Sequence, residues 1–211
     1  RDLHVRSRRQ RQMCIRDRYN IGMSLENKII LIGGMPASGK TTLGKNICKK
    51  LKLPFLDKDI LCDRYTNYVV AKETFENDRE SPLYKNTLRD LEYEILFDVA
   101  LSQVELDLCP VLVSPFSSEF VDKEKIKKLE NLLKAKNSKY ELITILITID
   151  EKQAKERMIK RGRKEDKTKL DDWKNYINKK LKFQEDASKN VSLTIPHNTP
   201  LEEIIKKVKN A

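Results

Sequence analysis

The chain has 211 residues, 39% hydrophobic and 36% charged, with 43 lysines and arginines against 32 aspartates and glutamates for a net charge of +11. That length suits one well-buried domain, and the longest apolar run, Leu142 to Ile149, falls far short of the roughly 18 residues of a membrane span. Cys14, Cys48, Cys62 and Cys109 form no CxxC pair and the only histidines are His4 and His197, which leaves no His/Cys metal site or hydrolase triad and points to a reducing cytoplasm.

The charge is unevenly spread. Seven arginines against Asp2 and Asp17 put +5 in the first nineteen residues. Residues 1–22 lack both a sustained apolar period and the apolar core of a secretory signal, leaving a basic arm or a mitochondrial-type presequence as open readings. The stretch RQRQMCIRDR resembles a translated sequencing-adapter fragment, and Met23 offers a start shortly before the first strand. Residues 1–22 are therefore set aside as an extension, and 23–211 are read as one domain. The remaining positive charge is mostly lysine on helix faces, read as solvated surface in preference to a nucleic-acid track.

From Lys28 to Thr42 the chain reads KIILIGGMPASGKTT, which satisfies the phosphate-binding pattern GxxxxGK[ST] at Gly34, Gly39, Lys40 and Thr41. The context also fits. Ile29 to Ile32 read as a buried strand, and Leu43, Ile47 and Leu51 repeat at helical spacing. Gly34 and Gly39 let the backbone, with Ala37 and Ser38, curl around a triphosphate. Lys40 is expected to reach the β- and γ-phosphates, Thr41 to ligate Mg²⁺, and Thr42 to add an α-phosphate contact. ATP and Mg²⁺ are the expected ligands.

Pro54 to Leu56 read as a short second strand running out at Asp57 and Asp59, and residues 60–80 as a mixed, partly helical segment. Phosphoryl transfer to a hydroxyl needs one carboxylate to help hold Mg²⁺ and another to receive or orient the hydroxyl proton, and this pair suits both tasks. A helix cap at either residue is the competing reading. Ser81-Pro82 opens a helix whose face is carried by Leu88, Leu91, Ile95 and Val99, broadened by Leu96, Ala100 and Val104. Pro110 to Val113 form a third strand, ending in Ser114, which either bonds a water on the metal or caps a turn. Ile126, Leu129, Leu132 and Leu133 mark an amphipathic helix.

Leu142 to Ile149 are the fourth strand, and Asp150 caps a helix bearing Ala154 and Met158. Arg157 and Arg161 share one face of it, ahead of a charged loop over 162–169 and a helix around Trp173 and Tyr176. These guanidiniums can close on a triphosphate as a lid over 157–172, against the competing reading of a solvated basic face. Val191 to Ile195 are the fifth strand, and Thr199-Pro200-Leu201-Glu202 read as a capping box before a last helix. Strands alternating with helices imply a parallel five-stranded sheet covered on both faces, with ligands at the strands' carboxyl ends.

The phosphate loop together with Asp57-Lys58-Asp59 resembles the small P-loop kinases, the group of shikimate, gluconate and chloramphenicol kinases. The resemblance implies a three-layer P-loop NTPase sandwich, with Asp59 as base and acceptor ligand and Asp57 as metal partner through water. SPLYK at 81–85, LEYEIL at 91–96, VLVSPFSSE at 111–119 and the pattern from Arg157 to Tyr176 are similar to kinase-like proteins, zeta toxins among their relatives, that are usually labelled AAA family ATPases. A third strand ending in serine rather than aspartate matches motor or AAA+ machinery poorly. Where the family tends to carry an arginine before the lid aspartate, this chain has Glu165 before Asp166, so Arg163 or Lys164 must substitute or one phosphate contact is lost. The loop after the fifth strand, with His197 and Asn198, corresponds to the one beside the adenine. Residues 60–95, with Arg64, Tyr65, Tyr68, Arg79, Tyr84, Arg89 and Tyr93, are expected to receive the acceptor.

These features imply a cytoplasmic, ATP- and Mg²⁺-dependent kinase acting on a hydroxyl of a small molecule, as monomer or homodimer. A nucleic-acid-end kinase or nucleic-acid-binding ATPase, and a slow ATPase acting as a nucleotide sensor, are the alternatives.

Overall fold

Lys28–Gly34 form β1 because apolar residues fill every position that a sheet covered on both faces would bury. In the computed structural model, which describes residues 25, 27–74, 81–163 and 166–211, β1 is the central strand of a parallel five-stranded sheet. The extension 1–22, Met23, Arg79, Lys164 and Glu165 lie outside the described residues.

The elements follow in the order α1 (Lys40–Leu51), β2 (Phe55–Asp57), α2 (Lys58–Thr74), a π-helical turn (Tyr84–Leu88), α3 (Arg89–Glu105), β3 (Val111–Val113), α4 (Lys123–Lys136), β4 (Glu141–Thr148), α5 (Glu151–Arg161), α6 (Lys167–Asp171), α7 (Trp173–Ser188), β5 (Leu193–Pro196) and α8 (Leu201–Asn210). The sheet order is β2-β3-β1-β4-β5. Alternate strand residues face opposite layers. Ile30, Ile32, Ile145 and Ile147 pack with α1 and α8, and Ile29, Leu31, Leu112 and Leu146 pack with α3, α4 and α7. This is the P-loop NTPase sandwich implied by the sequence. Gly44 lets α1 approach the sheet: a Cβ there would stand 2.6 Å from Val113 Cγ2 and 2.9 Å from the Phe55 ring.

Four expectations are corrected. The first concerns Asp59, which sits in the first turn of α2 and not in an extended tail of β2; the helix through Thr74 agrees with the partly helical reading of 60–80, of which 75–80 lie outside the described residues. On α3 the buried side is Glu92, Tyr93, Leu96, Ala100 and Val104, continued by Leu88 in the turn before it, while Leu91 and Ile95 are 38% and 39% exposed. Leu88, Leu96, Ala100 and Val104 are buried as expected, and the face is completed by Glu92 and Tyr93, which apolar spacing does not mark, in place of Leu91 and Ile95. Leu132 on α4 is likewise exposed. The capping box at 199–202 does not form: α8 begins after Pro200 without a side-chain cap, and Glu202 pairs with Lys50 instead. Ser81 and Asp150 do accept from backbone N–H groups as expected, Tyr84 N at 3.3 Å and Gln153 N at 2.9 Å.

Candidate active site

The loop from Gly34 to Lys40 turns back over the carboxyl end of β1. Gly34 (φ 142°) and Gly39 (φ 100°) hold backbone conformations that favour glycine, and a Cβ on Gly34 would meet the Ile147 carbonyl oxygen at 2.6 Å. The first turn of α1 has neither a side-chain cap nor an acidic residue, so its N–H groups are left to an anion. Among the described residues Ser38 Oγ has no hydrogen-bond partner, buried in the loop. Lys40 Nζ donates to Met35 O at 3.0 Å. Burial pulls the Lys40 ammonium down to about 8, with Asp59 and Asp57 opposing and Arg161 and Lys180 adding to the lowering.

Parallel register sets Asp57 beside Val113, and Val113 beside Ile32, at the strand ends. Thr41 Oγ1 donates to Asp57 Oδ2 at 3.0 Å, while Asp57 Oδ1 accepts from the Asp59 and Ile60 N–H groups at 3.0 and 3.3 Å. Asp57 therefore caps α2, one of the two readings of it, and also engages the phosphate-loop segment through Thr41. Among the described residues no cluster of three His, Cys, Asp or Glu could cage a metal. A hydroxyl beside one carboxylate is a donor set that fits Mg²⁺ shared with phosphates, since that ion commonly takes one or two carboxylates and completes its shell with water and substrate oxygens. The Asp59 side chain is half-exposed and faces the same cavity.

That cavity, about 640 Å³, is lined by Pro36 to Thr42 save Ser38, by Asp57 to Asp59, and by Tyr84, Lys85, Arg89, Tyr93, Ser114, Ser117, Arg157, Arg161, Arg163, Lys169, Tyr176 and Lys180 among others. Arg157 Nη1 donates to Ala37 O at 3.3 Å, which seats it over the phosphate loop. Arg161 grips Asp166 through Nε and Nη2, so one edge of this guanidinium fastens the turn before α6. Ser114 lines the cavity, and its hydroxyl donates to Tyr93 Oη at 2.9 Å, which also accepts from Phe116 N at 3.1 Å. Asn198 lies in a separate depression with Thr148, Asp150, Gln153 and His197 at the exits of β4 and β5. Arg64, Tyr65 and Tyr68 are exposed on α2 and do not line the cavity, whereas Tyr84, Arg89 and Tyr93 do.

Sequence reasoning missed a buried polar group next to Asp59. Lys58 pairs with Glu92, which also accepts from Thr66 Oγ1 at 2.6 Å and Tyr84 Oη at 2.9 Å. Burial alone would lower the Lys58 ammonium, but Tyr84, Asp59 and Glu92 reverse this and leave it raised. A lysine between two aspartates reads as surface, and a glutamate on a helix as its solvent face, so no local signal marks the pair.

A family model described as an AAA domain matches residues 29–178. The shikimate kinase of Flavobacterium psychrophilum is 39% identical over 75 residues, 33% of this chain and 43% of that protein. The chain spans about two fifths of the length of the curated relatives it matches. Among solved structures, a putative kinase from Chloroflexus aurantiacus superposes with a TM-score of 0.54 at 18% identity, covering 88% of this chain and 98% of that one. The shikimate kinase of Aquifex aeolicus superposes with a TM-score of 0.53 at 22% identity, covering 86% and 93%. At these identities the two structures share the fold.

Proposed function

The chain belongs to the AAA-domain family, and on that premise we propose that it is a phosphotransferase, moving the γ-phosphoryl group of ATP to a hydroxyl of a small molecule. The observation that carries this reading is the Thr41–Asp57 hydrogen bond, which joins the phosphate loop to the carboxylate segment and puts Asp59 on the same cavity. The kinase names among the relatives support it.

In this reading Lys40, Ala37 to Thr42 and the open first turn of α1 hold the phosphates, with Thr41 and Asp57 holding Mg²⁺. The metal, when bound, neutralises charge on the β- and γ-phosphates. Asp59 receives the acceptor hydroxyl's proton as the acceptor oxygen bonds to the γ-phosphorus and the bond from that phosphorus to the β,γ-bridging oxygen breaks, releasing ADP. Arg157 and the free edge of Arg161 close over the transferring group. The adenine would lie beside Asn198, and the acceptor would enter beside Tyr84, Lys85, Arg89 and Ser117. Cationic side chains outnumber carboxylates in this cavity, which favours a polar or anionic acceptor.

The test is γ-phosphoryl transfer from labelled ATP by the full chain into pools of hydroxylated metabolites with shikimate and gluconate among them, aminoglycoside-like antibiotics, and oligonucleotides, with Lys40→Ala as the blank. Label in a small-molecule pool, absent with Lys40→Ala, is the expected result. Label only in oligonucleotides would replace this reading with an end kinase, and hydrolysis without transfer would favour a sensor.

A further inference from the structure

We infer that the buried Lys58–Glu92 pair, with Thr66 and Tyr84, is a clamp that positions Asp59 by tying the first turn of α2 to α3 and the π-helical turn. This rests on the kinase reading for its catalytic consequence. Glu92 is 1% exposed and collects three donors, from the start of α2, the middle of α2, and Tyr84 in the π-helical turn. Lys58 Nζ, equally enclosed, also lies 3.5 Å from Asp59 Oδ1. Asp59 is thus held from two sides, its N–H by Asp57 and its carboxylate by Lys58.

A buried ion pair is a poor device for stability, because its desolvation cost commonly matches its attraction and an apolar substitute often folds as well. What the pair does supply is a single geometry. Four groups separated by up to 34 positions meet only when α2, the turn and α3 stand in one arrangement. The turn carrying Tyr84 is π-helical, a form concentrated at functional sites, and Tyr84, Lys58 and Asp59 all line the cavity. Lys58 and Glu92 are positioning residues, acting on the reaction through Asp59.

The double variant Lys58→Met/Glu92→Gln removes both charges together and keeps an amide oxygen for Thr66. Hydrogen exchange on the full chain should show the Asp59 and Ile60 amides opening about tenfold faster, with α1 unchanged. Transfer into the small-molecule pool should lose about 10- to 100-fold in kcat, with KM for ATP within about twofold, since small misplacements of a reacting group cost rates of that order. Unchanged exchange would overturn the clamp, and faster exchange with unchanged kcat would overturn its role in positioning. Should the double variant unfold, Tyr84→Phe leaves the ion pair intact and should move both readouts in the same direction by about threefold. If the unaltered chain transfers no phosphate, the kinase reading falls, and the exchange rates still decide the clamp.

Discussion

Asp57 carries two duties with two oxygens, and they can be separated. Removing the carboxylate in Asp57→Ala deletes the cap on α2, a loss of about 0.5–2 kcal/mol, and leaves Thr41 Oγ1 without its acceptor. We expect Mg²⁺-ATP affinity to fall by at least about tenfold while metal-free ATP affinity changes little, read by calorimetry with and without chelator. Equal losses in both would remove Asp57 from the metal site. A second test concerns Cys48, buried on α1 and pushed by burial up to about 12. Because the unfolded thiol ionises near 9 and the folded one does not, the unfolded chain binds fewer protons between these values, so this group lowers stability as pH rises above 9. Below that range Cys48 should resist alkylation in the folded chain while the half-buried Cys109 reacts, as peptide mapping would show.

The helices show how far patterning reaches. On α3 the observed burial makes Leu96→Ala cost about 2–5 kcal/mol and Leu91→Ala no more than about 0.5 kcal/mol, and chemical denaturation compares the two directly; equal costs would mean that the face is set as apolar spacing alone suggests. Gly44→Ala should also destabilise, because α1 must move off Val113 and Phe55. The five strands, α1, α5 and the phosphate loop were legible because each carries a period or a motif that burial and anion binding enforce locally. The completion of the α3 face by Glu92 and Tyr93, the missing side-chain cap of α8 and the Lys58–Glu92 pair were not. The last two depend on partners distant in sequence, Lys50 drawing Glu202 away from a cap and an ion pair whose members are 34 positions apart, and the first on a buried glutamate that apolar spacing does not mark. Ser114 was open between two readings, and its hydroxyl bonds Tyr93 on α3.

The whole molecule brings three distant segments to one rim: the loop after β1, the carboxylates after β2, and the basic helix α5 with the turn behind it. That convergence is a property of parallel topology, which sends every strand's carboxyl end to the same side. Under the proposed function it makes nucleotide binding and acceptor chemistry separable, since Lys40 and Thr41 belong to one segment and Asp59 to another. Asp59→Ala therefore tests the account most directly, comparing γ-phosphoryl transfer with ATP affinity in the same preparation. We predict transfer lowered about 10²- to 10⁴-fold, the range of a lost general base, with ATP affinity within about twofold. A transfer rate equal to that of the unaltered chain would contradict the account.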